Sequence, residues 1–254
     1  MECFLAGIAH SADAITIFFA GCNFRCPFCF AKPFLETKEE FRSETREVKK
    51  LIQSAHQDKI ILTGGEPCLQ RPALVDIASY AKKHQKTIVL ETNGAHPHVI
   101  VFLMEQKLID ELRLDIKTPF TGEIFEKATR SATFFKPTMM ILDEIHNTLT
   151  YLKDNGHDII IEINTTIVPG LIFRKEDLLQ IAEAIQDIRC SWTFTPFSPD
   201  YRELNNSNFK NILSPSEDFL QTLRKSILKQ YPAMNIIIID PPVMMKEALS
   251  DKCL

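Results

Sequence analysis

Runs of aliphatic and β-branched residues alternate with amphipathic stretches along most of this chain, and that alternation limits the fold more than any other feature. Strands are expected at residues 14–19, 59–62, 87–91, 111–116, 158–165 and 191–195. Between them, Leu74, Ile77, Ala78 and Ala81, and again Leu178, Ile181, Ala182 and Ile185, recur at the three- and four-residue steps that put apolar groups on one helix face. Strand and helix in strict alternation imply parallel strands covered by helices. Six such units fit either an open doubly wound sheet or a partial barrel, and in both the ligand face is at the carboxyl ends of the strands. The polar motifs of the chain fall at those ends.

The last fifty residues follow a different pattern. Asn205-Asn206-Ser207-Asn208 reads as a polar linker, and Ser214-Pro215-Ser216-Glu217 as a helix start with Ser214 as cap, Pro215 in the first position and Glu217 closing a capping box. A helix to about residue 229 and a short apolar strand at 236–239 before Pro241-Pro242 complete a C-terminal extension. The expected division is therefore a core over 1–203 and an extension over 204–254.

Composition excludes several classes. With 29 basic against 33 acidic residues, the net charge of −4 argues against the uniform positive field of a nucleic-acid binder. No apolar run approaches the roughly 18–20 residues that span a bilayer. An acidic Met1-Glu2-Cys3 start, with Asp13 interrupting the early apolar residues, does not resemble a signal peptide, so the expected location is the cytoplasm.

Three of the seven cysteines stand together in Cys22-Asn23-Phe24-Arg25-Cys26-Pro27-Phe28-Cys29, directly after the first expected strand. In a reducing compartment such a group binds metal or does redox chemistry more often than it forms disulfides. Three thiolates at this spacing can converge on an iron-sulfur cluster and leave one iron of a [4Fe-4S] cube open to a substrate or cofactor. A structural zinc site is the alternative; it needs a fourth Cys or His and usually shows paired C-x2-C spacing. The other cysteines, Cys3, Cys190 and Cys253, have no motif around them.

The C-x3-C-x2-C loop with an aromatic before its third cysteine, followed by Thr63-Gly64-Gly65-Glu66-Pro67, resembles the radical S-adenosylmethionine (SAM) superfamily. The resemblance implies a partial (β/α)6 barrel, a [4Fe-4S] cluster on Cys22, Cys26 and Cys29, and SAM bound through its amino and carboxylate groups to the open iron. Gly64 and Gly65, lacking Cβ atoms, would let the backbone pass close to that ligand, and Glu66 would accept from the methionyl ammonium. Phe28 would lie along the adenine or cover the cluster. Two roles are open to Cys68, a functional thiol or a buried apolar residue.

Glu91-Thr92-Asn93-Gly94 and Asp115-Ile116-Lys117 end the third and fourth expected strands and resemble motifs of the activating enzymes of pyruvate formate-lyase and anaerobic ribonucleotide reductase. The likeness implies that Glu91, Thr92, Asn93, Asp115 and Lys117 lie near SAM, and that Val168, in Val168-Pro169-Gly170, borders the adenosyl group. Those enzymes commonly carry Asp at the position of Glu91 and His-Asn where this chain has Phe30-Ala31; some have a histidine near Phe197. The implied function is reductive cleavage of SAM to a 5′-deoxyadenosyl radical that activates a glycyl radical enzyme, with a flavodoxin or ferredoxin as electron donor. Modification of a small molecule or nucleoside is the second reading, and a non-catalytic cluster or zinc protein the third.

Overall fold

The computed structural model describes residues 1–200 and 204–239; Pro241-Pro242, Cys253 and the end of the extension lie outside the described residues. Among the described residues nine strands, numbered in chain order, form a single sheet in the order β3 (Arg42–Glu44), β1 (Glu2–His10), β2 (Ala14–Phe19), β4 (Lys59–Gly64), β5 (Thr87–Thr92), β6 (Glu111–Asp115), β7 (Ile160–Ile167), β8 (Ser191–Pro196), β9 (Asn235–Ile238). The parallel strands are β2 (Ala14–Phe19), β4 (Lys59–Gly64), β5 (Thr87–Thr92), β6 (Glu111–Asp115), β7 (Ile160–Ile167), β8 (Ser191–Pro196) and β9 (Asn235–Ile238). The first six of these are the expected parallel strands, and the fold is the partial α/β barrel that the family resemblance implies.

The helices are α1 (Thr45–Ser54), α2 (Arg71–Lys83), α3 (Pro97–Glu105), α4 (Gly122–Thr129), α5 (Thr138–Asn155), α6 (Lys175–Ile185) and α7 (Glu217–Leu228). In α2 the face Leu74, Ile77, Ala78 and Ala81 is buried, and in α6 so is Leu178, Ile181, Ala182 and Ile185. They share one apolar cluster with the outward strand residues Ile15, Ile17, Ile60, Leu62, Ile88 and Leu90. Burial at roughly 25 cal/mol per Å2 of apolar surface makes this layer between sheet and helices the main source of stability.

Two strands have no counterpart in the periodicity. β1 (Glu2–His10) and β3 (Arg42–Glu44) pair antiparallel at the β2 edge. A shift of register between Leu5 and Gly7 interrupts the two-residue alternation in β1, and β3 is too short to show a period. In the extension, β9 pairs with β8 and so lengthens the sheet. The cap of α7 is Ser216 rather than Ser214: the Ser216 hydroxyl accepts from the Phe219 N–H at 3.3 Å, and Glu217 is the first helical residue. Ser216 is the last residue with extended dihedrals, so its side chain alone reaches the first free N–H groups.

Candidate active site

Parallel strands all point their carboxyl ends one way, and here those ends surround a cavity of about 320 Å3. Cys22, Cys26, Phe28, Cys29, Gly64, Gly65, Glu91, Thr92, Asn93, Asp115 and Lys117 line it. Glu66 and Val168, grouped with these by sequence, do not, and neither does Cys68.

The cysteine loop is held by its backbone. Gly21 and Cys22 N–H donate to the Phe34 and Leu35 carbonyls at 2.7 and 3.1 Å, and Arg25 N–H donates to the Thr129 carbonyl at the end of α4 at 2.6 Å. Asn205 clamps the far side: its side-chain amide donates to the Arg25 and Cys26 carbonyls at 3.0 and 3.1 Å, and its backbone N–H to the Cys29 carbonyl at 2.8 Å. What reads as a linker in sequence therefore braces the cysteines.

Gly64 and Gly65 serve the same loop. The Gly65 N–H donates to the Phe19 carbonyl at 2.9 Å and the Glu66 N–H to the Gly21 carbonyl at 2.8 Å. A Cβ on Gly65 would lie 2.2 Å from the Gly21 oxygen, and one on Gly64 2.2 Å from the Phe19 oxygen. Close approach of two strand ends requires both glycines, which also line the cavity; Gly64 has a φ of +125° as well.

The structure shows what Glu66 does within the protein. It is fully buried, and both carboxylate oxygens are engaged: Oε1 accepts from the Thr92 hydroxyl at 2.7 Å and the Cys68 N–H at 3.1 Å, Oε2 from the Asn93 N–H at 2.8 Å. It fixes the wall from behind. Asn93 Nδ2 donates to Asn23 Oδ1 at 2.8 Å, which carries that order to the cysteine loop. Val168 is likewise buried, its N–H donating to the Ile172 carbonyl at 2.8 Å in the turn after β7.

The inner wall also carries Glu111, Arg113 and Glu162, which the sequence reading overlooks. Arg113 Nη1 donates to Glu91 Oε1 at 2.9 Å and Nε to Glu111 Oε1 at 2.7 Å, while Glu162 stands 3.6 Å from Nε. Burial works against the charged guanidinium, but Glu91 and Glu111 outweigh it and hold Arg113 above its ordinary range. Nearer the mouth, Lys117 pairs with Asp115, Asn164 Nδ2 donates to Asp115 Oδ1 at 3.0 Å, and the Thr195 hydroxyl donates to Asn164 Oδ1 at 2.6 Å. Desolvation disfavours the Lys117 ammonium, yet Asp115 beside it raises its pKa overall. A signal for this wall was available. Glu111, Arg113 and Asp115 alternate along a central parallel strand, where both faces are normally apolar.

The thiols sit in apolar surroundings. Phe24 meets Phe125 edge-on at 5.6 Å, and Phe209 of the extension touches Phe28 at 6.5 Å and Phe197 at 6.1 Å. Burial pushes the Cys22 thiol up to about 12 and moves Cys26 and Cys29 the same way. Thiolates persist in such a pocket when a metal offsets their charge. Among the described residues the cysteines are free, and no group of three or more His, Cys, Asp and Glu side chains is drawn in tightly enough to hold one metal ion. A cluster sets the separation of its ligands by its own size. Soft thiols in an aromatic-lined cavity that limits water suit an iron-sulfur cluster, and the Phe24 N–H, 3.4 Å from Cys22 Sγ, is of the kind that tunes its potential.

Residues 16–185 match the family model described as the radical SAM superfamily. A Methanocaldococcus jannaschii protein provisionally named a glycyl-radical enzyme activating enzyme is 33% identical over 85% of this chain and 84% of its own length. A GTP 3′,8-cyclase of Aquifex aeolicus is 26% identical over 83% of this chain and 63% of its own. Among solved structures, a radical SAM methyltransferase from Sphaerobacter thermophilus superposes with a TM-score of 0.66 at 12% identity, covering 95% of this chain and 70% of the other. No helix among the described residues is long and apolar enough to cross a membrane.

Proposed function

Since the chain belongs to the radical SAM superfamily, an enzyme family that works with a [4Fe-4S] cluster and SAM, we propose that it activates a glycyl radical enzyme by removing a hydrogen atom from a glycine of that partner. The observation that carries this reading is the gathering of the three cysteines and the two strand-end motifs, Glu91-Thr92-Asn93 and Asp115-Ile116-Lys117, on one cavity. The similarity to the M. jannaschii protein supports the choice of substrate.

In this reading Cys22, Cys26 and Cys29 hold the cluster, and Phe28, Gly64, Gly65, Glu91, Thr92, Asn93, Asp115 and Lys117 form the SAM-binding wall. Glu66 positions Thr92 and Asn93, and Val168 supports the turn after β7. When bound, the cluster supplies the electron that divides SAM into methionine and a 5′-deoxyadenosyl radical. The chain's own residues orient and shield. Phe24, Phe28 and Phe197 limit water at the reacting centre, and Lys117, neutralised by Asp115, keeps a fixed dipole at the mouth. The barrel carries the chemistry, and Asn205 and Phe209 of the extension brace it. A flavodoxin or ferredoxin is the proposed electron donor.

The test is anaerobic reconstitution with iron and sulfide, then SAM and dithionite. Formation of 5′-deoxyadenosine, lost in Cys26→Ala, is expected; turnover surviving in that variant would overturn the ligand assignment. Adding a candidate glycyl enzyme should then give a protein radical by electron paramagnetic resonance. Consumption of GTP instead would favour the nucleotide reading that the A. aeolicus relative represents.

A further inference from the structure

Arg113 and Lys117 are the two cations among the described residues that line the cavity, and both are already paired, Arg113 with Glu91 and Glu111, Lys117 with Asp115. The charge of each cation is therefore already offset by a carboxylate of the wall itself. Three carboxylates surround the one guanidinium, and the second cation nearby, Lys59, lies 3.8 Å from Glu111. Glu162 is left with the loosest partner, 3.6 Å from Arg113 Nε, and it faces the cavity with its side chain 26% exposed.

Its position in the barrel makes that surplus charge available to a substrate. Glu162 pairs in register with Arg113 on one side and Ser191 on the other, two residues deeper along β7 than Asn164. The oxygens of Glu162 can accept hydrogen bonds; Asn164 Oδ1 and the Thr195 hydroxyl hydrogen are already committed to each other. A cavity floor with spare acceptors and no spare cation fits a group that brings N–H donors and positive charge.

Resting on the proposed function above, we infer that Glu162 is a specificity-determining residue: it selects a glycine-bearing peptide segment with a basic side chain beside the glycine, and disfavours phosphorylated or carboxylated small molecules. Partly buried in a concave wall, such a carboxylate interacts with a charge far more strongly than a surface pair does.

The test uses the reconstituted, SAM-loaded protein and blocked pentapeptides with a central glycine flanked by Lys, Gln or Glu, alongside GTP, with affinities measured by anaerobic calorimetry. The expected order is Lys, then Gln, then Glu, with roughly tenfold between the Lys and Glu peptides, and the order should collapse in Glu162→Gln. Equal or reversed affinities on the unaltered protein, where no variant's folding is at issue, would refute the inference. So would GTP that competes with the Lys peptide, or a preference that persists in Glu162→Gln. Loss of SAM affinity in that variant would also refute it, since the carboxylate would then serve the sulfonium. The two readings fail separately: absence of 5′-deoxyadenosine with dithionite sinks the proposed function whatever the peptides do, whereas cleavage without a charge preference sinks only this inference.

Discussion

Replacing Glu66 by Gln separates a wall-building residue from a ligand-binding one. The carboxylate accepts three hydrogen bonds, from the Thr92 hydroxyl, the Cys68 N–H and the Asn93 N–H, and it is fully buried. A glutamine keeps one oxygen, so its amide N–H2 must turn toward at least one of those donors. One charge-assisted bond is lost and two donors are left facing each other, which costs about 2–4 kcal/mol. For a domain of this size the melting midpoint of the reconstituted protein should fall by roughly 4–16 °C, measured by anaerobic calorimetry. Thr92→Val removes one of the same bonds, so in the Glu66→Gln background it should add little, and the double-mutant cycle should show coupling of roughly 1 kcal/mol or more. If Glu66→Gln melts within about 2 °C of the parent and binds SAM tenfold more weakly, the carboxylate is a ligand and its placement behind the wall is wrong.

Three further outcomes follow from the same geometry. Asn205→Ala removes both amide bonds to the Arg25 and Cys26 carbonyls, and the cluster should be lost to a chelator roughly tenfold faster, followed by visible absorbance. Gly65→Ala places a Cβ 2.2 Å from the Gly21 oxygen and should cost about 3 kcal/mol or prevent folding, whereas Gly7→Ala, with nothing within 4 Å of its new Cβ, should be neutral or stabilise by up to about 1 kcal/mol in the same unfolding assay. Arg113→Met leaves Glu91, Glu111 and Glu162 facing one another without their shared cation and should lower stability by roughly 3–5 kcal/mol; a variant as stable as the parent would mean that the guanidinium does not hold this wall together.

The parallel strands were legible because each pairs a buried apolar outer face with a covering helix, and periodicity reports burial. The strand-end motifs were legible because residue types such as Cys, Gly-Gly-Glu and Asp-Ile-Lys are uncommon together. Hydrogen-bond partners were not. Glu66 stands in a motif that reads as ligand-facing, yet its carboxylate turns to the backbone of a neighbouring strand end, and no local pattern encodes which strand end lies beside which. Asn205 is separated by 180 residues from the Arg25 carbonyl it meets. Its polarity and its polar neighbours read as a solvated linker because sequence shows a side chain's capacity to bond, never the distant group that takes the bond.

Arg113 raises the same point from the other direction. In a central strand of a parallel sheet a charge is costly unless it is paired, and a chain that places Glu91, Arg113 and Glu162 in register across β5, β6 and β7 pairs it within the wall. The alternation of charge with leucine in Glu111-Leu112-Arg113-Leu114-Asp115 thus encodes two environments at once: the leucines are buried in the apolar cluster shared with the helices, and Arg113 and Asp115 face the cavity. Had the interior been filled with apolar side chains, as in a closed barrel, there would be no cavity for a cofactor and a substrate to share. The polar interior is therefore the structural condition for chemistry inside the barrel, and its small excess of negative charge is the ground on which the inferred preference for a basic segment stands.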